Sequence, residues 1–153
     1  METREIRAYV IRGHGVASGV GRDARYPDGT LALQIPYFRE RGLDLSGYYR
    51  GTLNLDIRPY HVVLGAPDYF FRSVDWSTWI PPENFLFFRI MLIYKKGTYD
   101  GLVYMPDPAT KTDHAQPDHM LEVIMPRIEG IAYGDEVMIF SPGSGLGFRK
   151  KGS

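Results

Sequence analysis

Several short stretches of the chain alternate apolar and polar residues, the pattern of a strand that turns one face to a core. The predicted strands cover residues 6–11, 30–35, 52–57, 85–94, 102–105, 120–125 and 136–140. A glycine-marked turn at 95–101 joins two of them into a hairpin, and Pro36 ends another before one predicted helical turn at 37–42, closed by glycine. The pattern predicts a mainly β fold, a small six-stranded β-barrel with one or two short helical turns.

The stretch 49–57 contains the strand with the most distinctive polar face. Its apolar side chains point to one side, and its polar side chains Thr52, Asn54 and Asp56 point to the other. Oxygen donors at every second position suit Mg²⁺, which binds proteins through one or two such groups together with phosphate and water. A half-buried strand whose polar face is in water accounts for the same alternation, so both interpretations stay open.

A glycine-rich loop at 13–21 lies upstream of this strand. Backbone amides of such a loop can hold phosphate, but glycines between strands are also ordinary turn residues, and the loop alone does not decide between the two. It lacks the lysine of a Walker loop, and no helical pattern follows it. Neither the P-loop nor the Rossmann fingerprint therefore fits.

Glu122 interrupts an otherwise apolar side of the 120–125 strand, which it shares with Met120 and Ile124. A carboxylate in that setting either lies at an edge in water or accepts a hydrogen bond from a ligand or a buried partner. Both interpretations are open at this point.

Two segments fall outside the strand pattern. Residues 67–82 carry five aromatic side chains between prolines and are predicted to form a long ordered segment that packs on the barrel or covers a binding site. From residue 141 onward, glycines and serines followed by basic residues predict a flexible tail. One domain over 1–140 and a tail over 141–153 follow from this pattern.

Composition narrows the function classes. The 153 residues fit one domain, and 18 basic against 18 acidic side chains leave no net charge, so no nucleic-acid or membrane partner is predicted. The absence of cysteine excludes disulfides, thiolate metal sites and a cysteine nucleophile. Neither a signal peptide nor an apolar run of the ~20 residues a spanning helix needs is found, which predicts a soluble cytoplasmic protein.

Five short motifs resemble, in order and approximate spacing, those of the CTP-dependent riboflavin kinases typical of archaea. They are Ser-Gly-Val-Gly at 18–21, Tyr-Arg-Gly-Thr-Leu-Asn-Leu at 49–55, Lys-Thr-Asp-His at 111–114, Leu-Glu-Val-Ile-Met-Pro at 121–126 and Tyr-Gly-Asp-Glu-Val at 133–137. The resemblance extends over most of residues 8 to 140, and Gly-Thr-Leu-Asn is its most specific element.

This resemblance implies a cradle-loop β-barrel that moves the γ-phosphate of CTP to the 5′-hydroxyl of riboflavin, giving FMN, with Mg²⁺ as cofactor. By position, Thr52 and Asn54 are similar to the family's Mg²⁺ ligands, and Thr112 and Glu122 to the pair that contacts the flavin. The positions similar to its nucleotide-binding residues are Gly19, Val20, Gly21, Arg22, Asp23, Ala24 and Arg127. The resemblance implies no particular catalytic side chain.

The chain departs from the family pattern at two places. Arg22-Asp23 stand where the family usually has a further glycine, and 127–130 replace a Leu-Arg pair that contacts the nucleotide. Because a fold does not dictate a function, these departures leave a second hypothesis. In it, the chain is a non-catalytic barrel that binds a nucleotide, a flavin or a sugar.

Overall fold

The computed structural model describes residues 2–12, 30–107, 119–143 and 145–152. Its elements in chain order are β1 (Glu2–Thr3), β2 (Glu5–Ile11), α1 (Thr30–Glu40), β3 (Leu53–Asp56), β4 (Tyr60–Leu64), β5 (Tyr69–Val74), β6 (Glu83–Tyr94), β7 (Gly97–Pro106), β8 (Met120–Ile124), β9 (Glu136–Phe140) and β10 (Leu146–Lys150). The predicted mainly β fold is confirmed.

Six strands close into a ring of antiparallel neighbours in the order β6, β7, β8, β3, β2, β9 and back to β6. The long strand β6 closes the ring because it pairs with β7 along most of its length and with β9 near its end, where Leu92 lies opposite Ile139. The predicted six-stranded barrel is therefore confirmed, and so is the hairpin formed by β6 and β7.

The alternating residues of these strands fill the barrel interior. In β3, Leu55 lies between Val10 of β2 and Leu121 of β8, and all three side chains are buried in one core cluster. Since neighbours along a strand point to opposite faces, the residues on either side of Leu55 point out of the barrel. Of the two predicted metal ligands, Asn54 lies on this outer face, and Thr52 directly precedes the strand.

The segment predicted as a strand at 30–35 is instead the first half of α1, so that prediction was wrong. Leu31, Gln34 and Phe38 are buried at the spacing of one helix face, while Leu33, which a strand would bury with Leu31, is 44% exposed. The helix continues through Pro36, which cannot donate to the carbonyl of residue 32. The packing of the buried helix face outweighs the free-energy cost of the hydrogen bond that is missing at Pro36.

The predicted closure of the helix by glycine is confirmed. Gly42 has φ +100°, and its amide donates to the Arg39 carbonyl at 3.1 Å while the Leu43 amide donates to Phe38 at 3.0 Å. This pair of bonds is the Schellman arrangement, which needs a residue in the left-handed region.

Among the described residues, no helix has the length and apolar character required to cross a membrane.

A second core cluster lies between α1 and the outside of the barrel. Phe38 is its centre, with ring centroids 5.7 Å from Phe71 of β5 and 5.1 Å from both Phe85 and Phe87 of β6. The aromatic segment predicted at 67–82 thus contributes strand β5, which pairs with β6 and packs against the helix. Trp79, in the same segment, is 64% exposed.

The segment after residue 141 is a structural part of the fold, so the prediction of a flexible tail was wrong for Leu146–Lys150. Strand β10 pairs with β4 on one side and β1 on the other, and it buries Leu146 and Phe148 in the barrel core. Gly145 is required at the entry to this strand, because a Cβ there would overlap the Ala66 carbonyl oxygen. Gly145, one of the glycines that suggested flexibility, thus allows close backbone packing.

Candidate active site

Three predicted site residues meet on the outer face of β3 and β8. Asn54 lies opposite Glu122 in the paired strands, and the Thr52 hydroxyl donates to Glu122 Oε1 at 2.9 Å. All three side chains are half-buried. The two residues predicted as metal ligands therefore lie beside one of the two predicted for the flavin, although Glu122 is 70 positions from Thr52 in sequence.

The segment before β3 is held against the end of β8, and this attachment positions Thr52. The Tyr49 amide donates to the Met125 carbonyl at 3.0 Å, just beyond the last residue of β8. Gly51 is buried within this segment. Thr52 therefore lies directly before β3, two residues from the Asn54–Glu122 pair and next to the connection that follows β8.

A pocket of about 330 Å³ opens beside Thr52. One side is formed by 49–53, and the other by the connection after β8, here called the pocket wall, residues 127–131. The volume falls in the range of small-molecule sites. Arg127 and Glu129 bring one charge of each sign to the wall, so the pocket combines a cation, a carboxylate and the Thr52 hydroxyl.

The far end of the wall is attached to the barrel by Tyr94, the last residue of β6. Its hydroxyl lies 2.7 Å from Asp135 Oδ2 and 3.2 Å from the Gly130 carbonyl oxygen, and the same Asp135 oxygen accepts from the Ala132 amide at 2.9 Å. The hydrogen bond from Tyr94, followed by that from Ala132, lowers the pKa of Asp135, and the same carboxylate raises the pKa of Tyr94.

Asp56, the third polar residue of the central strand, is engaged elsewhere. Its carboxylate accepts from the Arg58 backbone amide at 3.0 Å and from the Arg58 guanidinium, with an Nη2 to Oδ2 distance of 2.5 Å. These side-chain bonds are the main cause of a lowered pKa for Asp56. The polar face of β3 is thus divided, with Asn54 opposite Glu122 and Asp56 paired with Arg58.

Two buried polar residues that the sequence reasoning missed lie on the other side of Glu122. Tyr104 is one residue beyond the Val103–Val123 pair, and its hydroxyl donates to Gln34 Oε1 at 2.5 Å. Burial raises the pKa of Tyr104 well above its usual value, and the carboxylate of Glu122 raises it further. Gln34 could have been found from its position on the apolar face of a helix, but residues 30–35 were predicted as a strand.

The remaining predicted residues, Gly19–Ala24 and Thr112, lie outside the described residues, so their roles stay predictions. The glycine-rich loop begins directly after Arg12, whose guanidinium lies 5.4 Å from the centre of the Tyr133 ring, two residues beyond the pocket wall. The last described residue before this loop is therefore close to the segment that continues the wall.

The oxygen donors of this face fit Mg²⁺. Thr52 and Asn54 offer a hydroxyl and an amide oxygen, hard ligands of the kind this ion prefers, and Glu122 adds a carboxylate next to them. Within the described ranges, no group of three or more His, Asp or Glu side chains forms a site. A magnesium ion here would need phosphate and water oxygens in addition to the protein's own, which is its usual coordination in nucleotide sites.

In comparisons with known proteins, no family model matches the chain and no curated protein matches it. The features of this chain that bear on its function are therefore the arrangement of Thr52, Asn54 and Glu122, the adjoining pocket and the motif resemblance.

Proposed function

We propose that this protein is a Mg²⁺-dependent, riboflavin-kinase-like phosphotransferase that moves the γ-phosphate of CTP to the 5′-hydroxyl of riboflavin. The observation that supports it most is the position of Thr52, which bonds Glu122 and also lines the pocket that contains Arg127. The same hydroxyl thereby adjoins the proposed acceptor side and the proposed donor side.

In this proposal, the pocket between 49–53 and the wall takes the nucleotide. Arg127 supplies a guanidinium, which pairs well with phosphate oxygens. Thr52 and Asn54 would hold Mg²⁺, whose charge offsets that of the donor's phosphate oxygens. Phosphoryl transfer depends mainly on positioning and on charge stabilisation, so a strong general base is not required of the protein.

Glu122 takes the acceptor side in this proposal. The Thr52 hydrogen bond and the β8 backbone fix its carboxylate in a half-buried position on the outer face of the barrel. A carboxylate held in this way is a good acceptor for the hydroxyl groups of a polyol. The predicted roles of Thr112 with the flavin and of Gly19–Ala24 with the nucleotide complete the proposal.

The test is formation of FMN. Purified protein is incubated with riboflavin, Mg²⁺ and either CTP or ATP, with parallel samples that contain EDTA, and FMN is measured by fluorescence-detected chromatography. We expect FMN with CTP and none with EDTA. FMN formed from ATP instead would keep the reaction class and change the donor, whereas no FMN with either nucleotide would contradict the proposed activity.

One observation favours a second candidate, a non-catalytic binding barrel. Glu129 lines the same pocket as Arg127 and places a carboxylate where a nucleotide would bring phosphates. An electrically mixed pocket suits a neutral or singly charged ligand better than a triphosphate. Isothermal titration with CTP, CMP, riboflavin and a neutral sugar separates the two candidates, since the binding barrel predicts saturable binding without turnover.

A further inference from the structure

The pocket wall follows β8 and belongs to no strand or helix, so its position depends on the packing of Ile128 and Ile131 against the barrel core and on how its two ends are attached. At one end, the Met125 carbonyl accepts a hydrogen bond from the Tyr49 amide on the opposite side of the pocket. At the other end, the wall leads into 132–135, the turn that enters β9. The attachment of this second end adds to the hold that the core contacts of Ile128 and Ile131 provide.

That second end is tied to two barrel strands. The Gly134 amide donates to the Val10 carbonyl at 2.7 Å, and the Val10 amide donates to the Asp135 carbonyl at 2.8 Å, which connects the turn to β2. Tyr94 connects it to β6, because its hydroxyl is within hydrogen-bond distance of both Asp135 and Gly130. Gly130 is the only one of these residues that lines the pocket.

Tyr94 is well suited to hold the wall in place. The residue is only 7% exposed and is packed in the barrel core, at the end of the strand that pairs with both β7 and β9. Its hydroxyl reaches out of this rigid setting to a carbonyl of the wall and to a carboxylate that also accepts from the Ala132 amide. A hydrogen bond to a charged acceptor is stronger than one between neutral groups.

We infer that Tyr94 is a positioning residue for the nucleotide pocket: its hydroxyl, acting through Asp135 and Gly130, holds the wall 127–131 at the distance from Thr52 that donor binding requires. This inference rests on the proposed function for the identity of the ligand. The positioning itself is a property of the free protein and can be measured without any ligand.

The first measurement is hydrogen exchange of the free protein, comparing wild type with Tyr94→Phe, which keeps the ring and removes the hydroxyl. Tyr60→Phe is the matched control, since Tyr60 packs against the same core from β4, away from the wall. Loss of one hydrogen bond should speed exchange of the hydrogen-bonded amides of Ala132, Gly134 and Asp135, at the far end of the wall, by about tenfold in Tyr94→Phe and leave the β6 and β8 amides unchanged. Unchanged exchange of these three amides would overturn the inference.

The second measurement is steady-state FMN formation. We expect the KM for CTP to rise by about tenfold in Tyr94→Phe, with kcat and the KM for riboflavin within about twofold of wild type. A purely structural role would lower the amount of folded enzyme and leave KM unchanged. A change confined to kcat or to the riboflavin KM would also overturn the inference.

A second variant guards against failure of Tyr94→Phe to fold. Asp135→Ala removes the acceptor of the same hydrogen bond from a partly exposed position and should give the same faster exchange of the Gly134 amide, which does not itself bond the lost carboxylate. If wild type forms no FMN but both variants loosen the wall, the positioning is upheld and the proposed activity fails. If wild type forms FMN and the wall does not loosen, the activity is upheld and the inference fails.

Discussion

The Thr52 hydroxyl donates a 2.9 Å hydrogen bond to Glu122 Oε1 and so joins the residue before β3 to strand β8, which is far away in sequence. Antiparallel pairing of β3 with β8 places Asn54 opposite Glu122, and Thr52, two residues before Asn54, lies close enough for this bond. A predicted metal ligand and a predicted flavin contact are consequently in direct contact. This contact is what makes a single phosphoryl-transfer site on this face reasonable.

Loss of the Thr52 hydroxyl should weaken the fold slightly as well as the site. Thr52→Val keeps the shape of the side chain but removes one donor from a half-buried carboxylate, which should lower the free energy of unfolding by about 1 kcal/mol. Thr52→Ser retains the hydroxyl and should lower the free energy of unfolding by less than Thr52→Val does. Urea denaturation at pH 7 measures both, and equal stability of the two variants would show that the bond contributes nothing.

The Arg127 side chain should contribute to binding of the donor nucleotide and not to binding of the acceptor riboflavin. Arg127→Ala removes the guanidinium from the pocket wall, and we expect the KM for the nucleotide to rise by about tenfold while the riboflavin KM changes little. Arg149→Ala is the matched control, because Arg149 is an exposed residue of β10. A riboflavin KM that rises as much as the nucleotide KM would contradict the assignment of this pocket to the donor.

The barrel could be predicted from sequence because its strands carry the period of two that follows from a single buried face. Leu53, Leu55 and Ile57 show that period, and Leu55 and Ile57 are indeed fully buried. Leu31, Leu33 and Ile35 show it as well, yet they lie in a helix. A strand buries every second residue and a helix buries every third or fourth, so a short apolar segment can fit both patterns. Burial of Gln34 and Phe38 identifies this segment as a helix, but it becomes evident only from their partners on β7 and β6.

The site could be predicted in part. Residues within one motif, such as Thr52 and Asn54, are placed by local strand geometry, so their common face follows from spacing alone. The Asp56–Arg58 contact spans two residues and is a local turn bond of the kind that Asp favours, whereas the contact of Tyr94 with Asp135 depends on a pairing 41 positions apart, which no local pattern encodes. The same is true of β10, whose glycines resemble a linker until its partners β1 and β4 are known.

The C-terminal strand should be essential for stability. Phe148 is completely buried in the barrel core, so Phe148→Ala should lower the free energy of unfolding by about 3 kcal/mol or more. Lys150→Ala, two residues further along the same strand, removes an exposed side chain and should change the free energy of unfolding by less than about 0.5 kcal/mol. If both substitutions have similar, small effects in thermal or urea unfolding, the result would support the flexible tail predicted from the sequence.

The carboxylate of Asp135 should titrate below its usual range, and Tyr94→Phe should bring its pKa back up, because the Tyr94 hydroxyl is the main cause of the lowered value. A lowered native pKa stabilises the folded state above the unfolded pKa of about 3.9, and this contribution is lost as the pH falls through the native value. NMR titration of the Asp135 carboxyl group gives the comparison directly. The same pKa in both proteins would mean that the bond is not formed in solution.

The most direct measurement of the central claim is the rate of Mg²⁺-dependent FMN formation in Asn54→Ala compared with Asp56→Asn. Both residues lie on the polar face of β3, but Asn54 lies opposite Glu122 and Asp56 is paired with Arg58. We predict a loss of at least about a hundredfold for Asn54→Ala and a change within about twofold for Asp56→Asn, with both variants folded by circular dichroism. Full activity of Asn54→Ala would contradict the placement of metal-assisted phosphoryl transfer on this face of the barrel.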